Sequence, residues 1–384
     1  MRVLFTTWAW PSHLYALVPF ALALRDAGHE VLVASQPALL PEIRRAGLPG
    51  AVVGEDVDAP GMVRGYLLPS ERDGEEEAAP RLGKGPRATR MFLANAEAMT
   101  GELVALAKDW RPDFVVFEPT ALAGPIAAAA VGVPAVRHLY GTDLVLRAKE
   151  VLADALAPLA DRHGAGPVDP LGVVTVDPMP AGLQVTAAYR RFPVRFVPFH
   201  GVAGRPARLP AGGGRPRVGV TWGHTIAKVA AARFPVREVL SALSGTGVEV
   251  VAAVSAGQRE LVGRPPGNAR VVVDAPLDQV LSGCDAVVAH GGAGSLLTAV
   301  RHGLPQLLIP QLPDHAGHAA RIVAAGAGDV LTRDEATGPA IRAGVERLLG
   351  DGAPREAARR LRDEMRRQPS PAEVGASVMA GLAG

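Results

Sequence analysis

The chain has 384 residues, of which 48% are hydrophobic and 4% aromatic, and its 40 basic and 38 acidic side chains leave a formal net charge of +2. This length exceeds what one hydrophobic core supports, so we expect two domains, and the balanced charge gives no case for nucleic acid or membrane partners. The single cysteine, Cys284, excludes an internal disulfide. No apolar run of membrane-spanning length is free of Pro, Gly or charge, and the first residues lead directly into a strand, so we expect a cytoplasmic protein.

The first half alternates strand and helix patterns, which is typical of a doubly wound parallel sheet. The patterns predict strands at 2–7, 30–34, 114–117, 134–138 and 195–198, and helices at 14–27, 89–108 and from about 121 to 131. His13 lies at the mouth of the first helix, for which Ser12 is the expected N-cap. Ligands bind at the carboxyl ends of such strands, so His13 is a candidate general base. The alternative is a histidine that only caps a helix.

A carboxylate follows the strand at 114–117. This residue is Glu118, and sheet topology can bring it close to His13. A carboxylate that holds one imidazole nitrogen orients the ring and stabilises its cation, so that the other nitrogen can accept a substrate proton. The two residues are therefore predicted to act as a catalytic pair.

Two polar segments interrupt these patterns. The segment at 55–90 includes the acidic run 75–77 and is expected to form a long excursion over a ligand cleft or a plain surface loop. Asp56 and Asp58 within it resemble the D-x-D metal motif of some sugar transferases, but no strongly apolar strand precedes them, which favours a solvated loop. The segment at 200–216 is dense in Gly, Pro and Arg and is expected to be an interdomain linker.

The second half predicts a second sheet, and its fourth strand leads into a glycine-rich turn. The predicted strands are 218–222, 248–254, 269–273, 286–289 and 306–310, with closing helices at 338–349, 354–367 and 371–382. After the fourth strand come His290, a glycine cluster and an apolar helical run. A strand, a glycine turn and a helix start together present free backbone N–H groups at a positive dipole end, which suits a diphosphate. An ordinary strand–helix turn is the alternative.

These motifs resemble those of GT-B fold, inverting, nucleotide-sugar-dependent glycosyltransferases, above all the actinomycete enzymes that attach deoxysugars to antibiotic and polyketide aglycones. On the donor side the resemblance rests on V-D-A-P-L-D at 273–278, C-D-A-V-V-A-H-G-G-A-G-S at 284–295 and G-L-P-Q-L-L-I-P-Q-L-P-D-H at 303–315. On the acceptor side it rests on P-S-H-L-Y-A-L-V-P-F-A-L-A-L-R-D-A-G-H-E-V at 11–31 and R-P-D-F-V-V-F-E-P-T at 111–120. It extends over nearly the whole chain.

The resemblance implies an α/β protein with two Rossmann-like doubly wound domains that face a central cleft. An acceptor-binding domain is expected at 1–199 and a nucleotide-sugar-binding domain at 217–357, joined by the linker at 200–216. C-terminal helices at 358–384 are expected to pack back towards the N-terminal domain.

The resemblance also implies roles for individual residues. His13 would deprotonate the acceptor hydroxyl with help from Glu118. Two turns would bind the donor diphosphate, namely Gly223, His224 and Thr225 together with His290, Gly291, Gly292, Ala293, Gly294 and Ser295. The nucleotide base would face Ala275, Pro276 and Leu277, and the sugar would face Asp314 and His315. Three positions depart from the family, which usually has Gln at 315, an aromatic residue at 275 and Asp at 118.

The expected function is inverting, metal-independent transfer of a deoxysugar from a dTDP- or UDP-sugar to a hydrophobic natural-product acceptor, without a cofactor. A metal site built from Asp314, His315 and His318 is disfavoured, because only the first and last share a helix face and two ligands hold a metal poorly. The rival functions are a nucleotide-sugar epimerase of the same fold and a non-catalytic activator partner. The identities of sugar, base and aglycone stay open, as do a homodimer and an auxiliary protein.

Overall fold

The computed structural model describes residues 1–67, 84–143, 145–199, 201 and 214–382. The chain divides into two compact units: unit 1 comprises Met1–Met179, Val185–Val202 and Gln368–Gly384, and unit 2 comprises Pro180–Gln184 and Ala203–Arg367. The acidic run at 75–77 and most of the expected linker at 200–216 lie outside the described residues. The segment 358–384, expected as one group of helices, divides after Arg367 between the two units.

Unit 1 contains a parallel sheet, for which the described residues supply seven strands in the order β3-β2-β1-β4-β5-β6-β7. The strands are β1 (Arg2–Thr6), β2 (Glu30–Ser35), β3 (Gly50–Val52), β4 (Phe114–Phe117), β5 (Ala135–His138), β6 (Val174–Asp177) and β7 (Arg191–Pro193). The first helices are α1 (Pro11–Asp26), α2 (Leu40–Arg45), α3 (Ala59–Leu67), α4 (Lys84–Trp110), α5 (Ala123–Ala130) and α6 (Lys149–Arg162).

Unit 2 contains a second parallel sheet, with six strands among the described residues in the order β10-β9-β8-β11-β12-β13. The strands are β8 (Arg217–Thr221), β9 (Glu249–Val254), β10 (Ala269–Val273), β11 (Ala286–Ala289), β12 (Gln306–Leu308) and β13 (Gly328–Val330). The helices are α7 (Thr225–Val229), α8 (Val236–Ala242), α9 (Arg259–Val262), α10 (Leu277–Leu281), α11 (Ala293–His302), α12 (Pro313–Ala324), α13 (Gly338–Gly350) and α14 (Gly352–Arg367).

Each sheet has a topological switch point, which lies between β1 and β4 in unit 1 and between β8 and β11 in unit 2. The chain builds β1, β2 and β3 outward in one direction and then places β4 on the other side of β1. Unit 2 repeats this order with β8, β9, β10 and β11. The central strands β4 and β11 are continuous apolar runs, F-V-V-F and A-V-V-A, and every residue in them is buried. Ligands bind at the carboxyl ends of strands at such switch points.

The structure corrects the predicted start of α1 and the predicted strand at 195–198. Helix α1 begins at Pro11 with Trp10 as its N-cap, so Ser12 lies inside the helix, because proline suits the first helical position. The last strand of unit 1 is β7 at Arg191–Pro193, which pairs with β6. Residue 195 lies beyond the sheet, where its N–H donates to the carbonyl of Pro369.

The last helix, α15 (Pro371–Leu382), belongs to unit 1 and packs on α1. Val374 and Val378 join the hydrophobic core of this unit. A Cβ at position 375 would lie 2.6 Å from a methyl group of Leu24, so only glycine permits this close approach. Within the described ranges, every helix is too short or too polar to span a lipid bilayer.

Candidate active site

The predicted catalytic pair meets at the switch point of unit 1. Strands β1 and β4 are adjacent, with Thr6 opposite Phe117, so the residues that follow them share one edge of the sheet. His13 lies in the first turn of α1 and Glu118 directly follows β4. The His13 Nδ1 atom is 3.3 Å from Oε2 of Glu118, and the two side chains are 14% and 0% exposed. The structure therefore brings these two residues together.

Thr120 connects this pair to the surrounding fold, and sequence analysis missed it. Its backbone N–H and its hydroxyl each lie 2.8 Å from Glu118 carboxylate oxygens. Trp8 Nε1 donates to the same hydroxyl at 2.8 Å, and His13 Nδ1 lies 3.3 Å from it. The hydroxyl has one proton, with which it donates a hydrogen bond to the Glu118 carboxylate, so towards His13 it can only accept. A hydrogen bond between His13 and this hydroxyl therefore requires the imidazole proton to be on Nδ1. Nε2 of His13 then has the lone pair that a general base needs.

Two aromatic side chains hold the plane of the His13 ring. Tyr140 stacks on the ring with centroids 4.5 Å apart, and Trp8 meets it edge to face at 5.1 Å. The loop that bears Tyr140 is closed by a fully buried ion pair between Arg137 and Asp143, 2.7 Å long. Burial and the adjacent Asp143 carboxylate raise the pKa of Tyr189 to about 12, so its hydroxyl keeps its proton and donates to that carboxylate. The His13 ring is thus packed between aromatic side chains, and the charged groups of the adjoining loop are paired.

The predicted diphosphate turn lies at the switch point of unit 2. Strand β11 ends at Ala289, and α11 begins at Ala293 with Gly292 as its N-cap. Among the described residues, no side chain caps this helix start. The first amides of a helix have no partner within the helix, so those of α11 are available to an anion.

The His290 imidazole lies between the two predicted diphosphate turns. A Cβ on Gly292 would lie 2.3 Å from its Nε2 atom, and a Cβ on Gly223 would lie 2.9 Å from the same atom. Gly223 also has a φ of +57°. Strands β8 and β11 are adjacent, with Thr221 opposite Ala289, which places both turns side by side. Glycine is required at these positions because the ring occupies the space of a side chain.

Three buried histidines cluster behind this turn. The rings of His290 and His315 meet edge to face at 4.6 Å, and His318 is 1% exposed. Burial lowers the pKa of all three; at His290 the neighbouring His315 lowers it further, and the Asp314 carboxylate opposes the effect. The imidazoles are therefore neutral near pH 7.

The position of His315 differs from the expected sugar contact. Its side chain is 5% exposed, whereas that of Asp314 is 39% exposed. Helix α12 begins at Pro313, so both residues belong to its first turn rather than to a preceding loop. Consecutive helical residues point about 100° apart, and the imidazole consequently packs inward on His290 while the carboxylate faces outward.

The predicted base-binding residues follow β10, at the same edge of the sheet as the two turns. Asp274, just before them, has a φ of +50° and its Oδ1 accepts a hydrogen bond from Ala256 N at 3.0 Å. This contact holds the turn that contains Ala275 and Pro276. Helix α10, which begins at Leu277, is bonded to α11 through Asp278 and His302 at 2.9 Å.

The other residues considered for chemistry have structural partners. Asp56 accepts from Ala38 N at 3.0 Å and Asp58 accepts from Gly61 N at 2.9 Å, so both carboxylates bond to backbone amides. Burial raises the pKa of Cys284 to about 12, and its thiol donates to the carbonyl of Val280. In the part of the chain that the structure describes, no group of three or more His, Cys, Asp and Glu side chains is arranged to hold a metal ion.

Comparison with known proteins assigns both halves of the chain to one family. Residues 22–223 match the N-terminal domain, and residues 237–380 the C-terminal domain, of erythromycin biosynthesis protein CIII-like proteins. The chain is 37% identical to tylactone mycaminosyltransferase of Streptomyces fradiae, over 97% of this chain and 90% of that protein. It is 38% identical to the TDP-daunosamine transferase DnrS of Streptomyces peucetius, over 97% of this chain and 95% of that protein.

Among solved structures, the chain is similar to the glycosyltransferase VinC in complex with dTDP. The TM-score is 0.83 and the sequence identity 32%, and the match covers 100% of both chains. Two doubly wound parallel domains of this kind define the GT-B fold, which confirms the predicted fold class.

Proposed function

Because the chain belongs to the erythromycin biosynthesis protein CIII-like family of GT-B glycosyltransferases, we propose that it transfers a deoxysugar from a dTDP-sugar to a polyketide-type aglycone, with inversion at the anomeric carbon. The observation on which this depends most is the contact of His13 Nδ1 with Glu118 Oε2 at 3.3 Å. This contact engages Nδ1 and leaves Nε2 of His13 able to accept a proton.

In the proposed reaction, Nε2 of His13 takes the proton of the acceptor hydroxyl while the oxygen attacks the anomeric carbon. The bond from that carbon to the diphosphate breaks, and the nucleoside diphosphate leaves. The buried Glu118 carboxylate stabilises the imidazolium that forms. One direct displacement inverts the anomeric centre.

The leaving diphosphate gains negative charge, and unit 2 offers backbone N–H groups to compensate it. The first amides of α11 have no side-chain cap in the described part of the chain, and the neighbouring imidazoles are neutral. Fixed N–H donors at a helix start stabilise such charge without reorganisation. We therefore propose that the reaction needs no metal ion and no cofactor.

The proposed donor is a deoxysugar linked to dTDP. One similar enzyme is named for a TDP-linked sugar and one similar structure contains dTDP. In this chain the His315 ring is buried against His290, so the first turn of α12 presents only the Asp314 carboxylate to a sugar. A fully hydroxylated hexose would leave hydroxyls without partners, which costs about 1–3 kcal/mol each, and a deoxysugar has fewer of them to pair.

The test is an assay of the full-length chain with dTDP-deoxysugars, the matching UDP-sugars, and macrolactone and anthracyclinone acceptors. We expect glycoside formation that depends on the acceptor, prefers dTDP, inverts the anomeric configuration by NMR and persists in EDTA. Retention of configuration would contradict the displacement by the acceptor. Sugar isomerisation without an acceptor would identify an epimerase, and turnover only by an added partner enzyme would identify an activator.

A further inference from the structure

His318 contacts the diphosphate turn from the buried face of α12. Its Nδ1 atom lies 2.9 Å from the carbonyl oxygen of Gly291. A carbonyl oxygen only accepts hydrogen bonds, so the proton of the imidazole must be on Nδ1. Burial lowers the pKa of this ring, which agrees with a neutral imidazole that has one N–H. Within the described part of the chain, Nε2 has no hydrogen-bond partner.

This bond determines the orientation of the next amide. Gly291 and Gly292 are joined by a planar trans peptide, in which the C=O and the following N–H point in opposite directions. A carbonyl held towards α12 therefore turns the Gly292 N–H away from α12. Gly291 has a φ of +85°, and a Cβ there would lie 3.0 Å from the carbonyl oxygen of His315, so the backbone lies close against α12.

The second predicted diphosphate turn is held in the same way. Gln258 is buried, its Nε2 donates to the carbonyl of Gly223, and its Oε1 accepts from Ser255 N at 2.9 Å. Neither His318 nor Gln258 belongs to the motifs that predicted the donor site. Each comes from a neighbouring element and holds a glycine carbonyl from behind the turn.

We propose that His318 is a positioning residue for donor binding: its Nδ1–H holds the Gly291 carbonyl so that the Gly292 amide faces the donor diphosphate. The inference rests on the proposed function, because it requires the diphosphate at this turn. His318 lies one turn after Asp314, so the start of α12 supplies both the expected sugar contact and, from its buried side, the support of the diphosphate turn.

The test compares three substitutions in the full-length chain, His318→Asn, His318→Leu and His318→Gln. Asn places its amide nitrogen on Cγ, where Nδ1 of histidine is attached, and can donate to Gly291. Leu has the same branched shape without a donor, and Gln carries its amide one bond further out. Affinities for dTDP are measured by calorimetry and those for thymidine, which lacks phosphates, by ligand-observed NMR.

We expect the Leu and Gln variants to bind dTDP about tenfold more weakly, as for one lost hydrogen bond, and the Asn variant to stay within about twofold of the original chain. Thymidine affinity should not change in any of them. A ¹⁵N spectrum of the histidine side chains should assign the proton of His318 to Nδ1. If the Leu variant does not fold, the Asn–Gln pair provides the same comparison.

Equal dTDP affinities of the Asn and Gln variants, a parallel loss of thymidine affinity, or a proton on Nε2 would each overturn the positioning role alone. An unsubstituted chain that binds no dTDP would overturn the proposed donor, and the positioning role with it. The two failures are therefore distinguishable.

Discussion

The two switch points share one topology but differ in the polar groups that they contain. In unit 1 the edge between β1 and β4 contains a fully buried carboxylate, Glu118, which the backbone N–H and the hydroxyl of Thr120 approach at 2.8 Å. In unit 2 the edge between β8 and β11 contains glycine turns and neutral imidazoles. A carboxylate suits a site that must form an imidazolium, whereas neutral N–H groups suit a site whose charge arrives with the substrate.

The two sites also differ in how completely their polar atoms are paired. Glu118 has its hydrogen-bond partners in place, which offsets the cost of burying its charge. In unit 2, among the described residues, His290 Nδ1, His315 Nδ1 and His318 Nε2 are buried without partners. The Glu118 carboxylate is thus paired within the protein, whereas these three imidazoles have unused hydrogen-bonding capacity.

The largest effect is expected from His13→Ala. Loss of the proposed general base should lower kcat/KM by about two to four orders of magnitude and leave dTDP affinity unchanged, because the proposed nucleotide site is in unit 2. Steady-state kinetics and calorimetry measure the two quantities. His29→Ala, at a histidine beside the chain start, is the control. Unchanged turnover would remove His13 from the mechanism.

Thr120→Val should lower kcat by roughly one to two orders of magnitude, since it removes a hydrogen bond to a buried carboxylate worth about 1.5–3 kcal/mol. Thr120→Ser keeps the hydroxyl and should restore most of the rate. Thr100→Val removes a buried hydroxyl elsewhere in unit 1, which donates to Ala96 at 2.6 Å, and is the matched control. Equal rates for the Val and Ser variants at position 120 would mean that the hydroxyl does not support the pair.

Gly292→Ala tests the donor side of the comparison. The added Cβ would lie 2.3 Å from His290 Nε2, and overpacking of this kind costs about 1–3 kcal/mol. We expect dTDP affinity to fall about tenfold or more, with an unchanged KM for the acceptor. Gly247→Ala is the control, because a Cβ there meets nothing within 4 Å. An unaffected dTDP affinity would argue against this turn as the diphosphate site.

The last expected effect concerns stability and not activity, and it is a loss of stability in acid. The pKa values of His290, His315 and His318 are lowered by burial, and that of His138 in unit 1 falls to about 4. The unfolded chain therefore binds protons at these sites near pH 6.5, before the folded protein does, and stability falls as pH drops below that value. Each histidine contributes at most about 1.4 kcal/mol per pH unit.

Scanning calorimetry at pH 7.5 and 5.5 measures this pH dependence. His315→Gln should reduce it through unit 2, and His138→Gln should reduce it through unit 1. An unfolding temperature that is the same at both pH values would contradict the neutral state of the buried imidazoles.

Much of the fold was predictable because its determinants are local. The strands at 114–117 and 286–289 were predicted with their observed bounds, since continuous apolar runs between turn residues identify buried parallel strands. The strand at 269–273 was also predicted with its observed bounds, although it is partly exposed at the end of the sheet. The strands β3, β6 and β13 were missed because their short segments, G-A-V, V-T-V-D and G-D-V, include Gly, Thr or Asp and lack the continuous apolar run that identifies β4 and β11. The predicted strand at 195–198 was wrong because an extended segment becomes a strand only where it can pair with a neighbouring strand. The segment that pairs with β6 is β7, which ends before residue 195.

By itself, the sequence determined two doubly wound halves, a glycine turn before a helix, and the positions of His13 and Glu118 after their strands. These features depend on residues that are close along the chain. Tertiary structure alone decided that Thr120 and Trp8 join the predicted catalytic pair, that His318 contacts the Gly291 carbonyl, and that His315 faces inward. Such contacts depend on which strands are neighbours and on the rotation of a helix about its axis, and packing of the whole unit determines both.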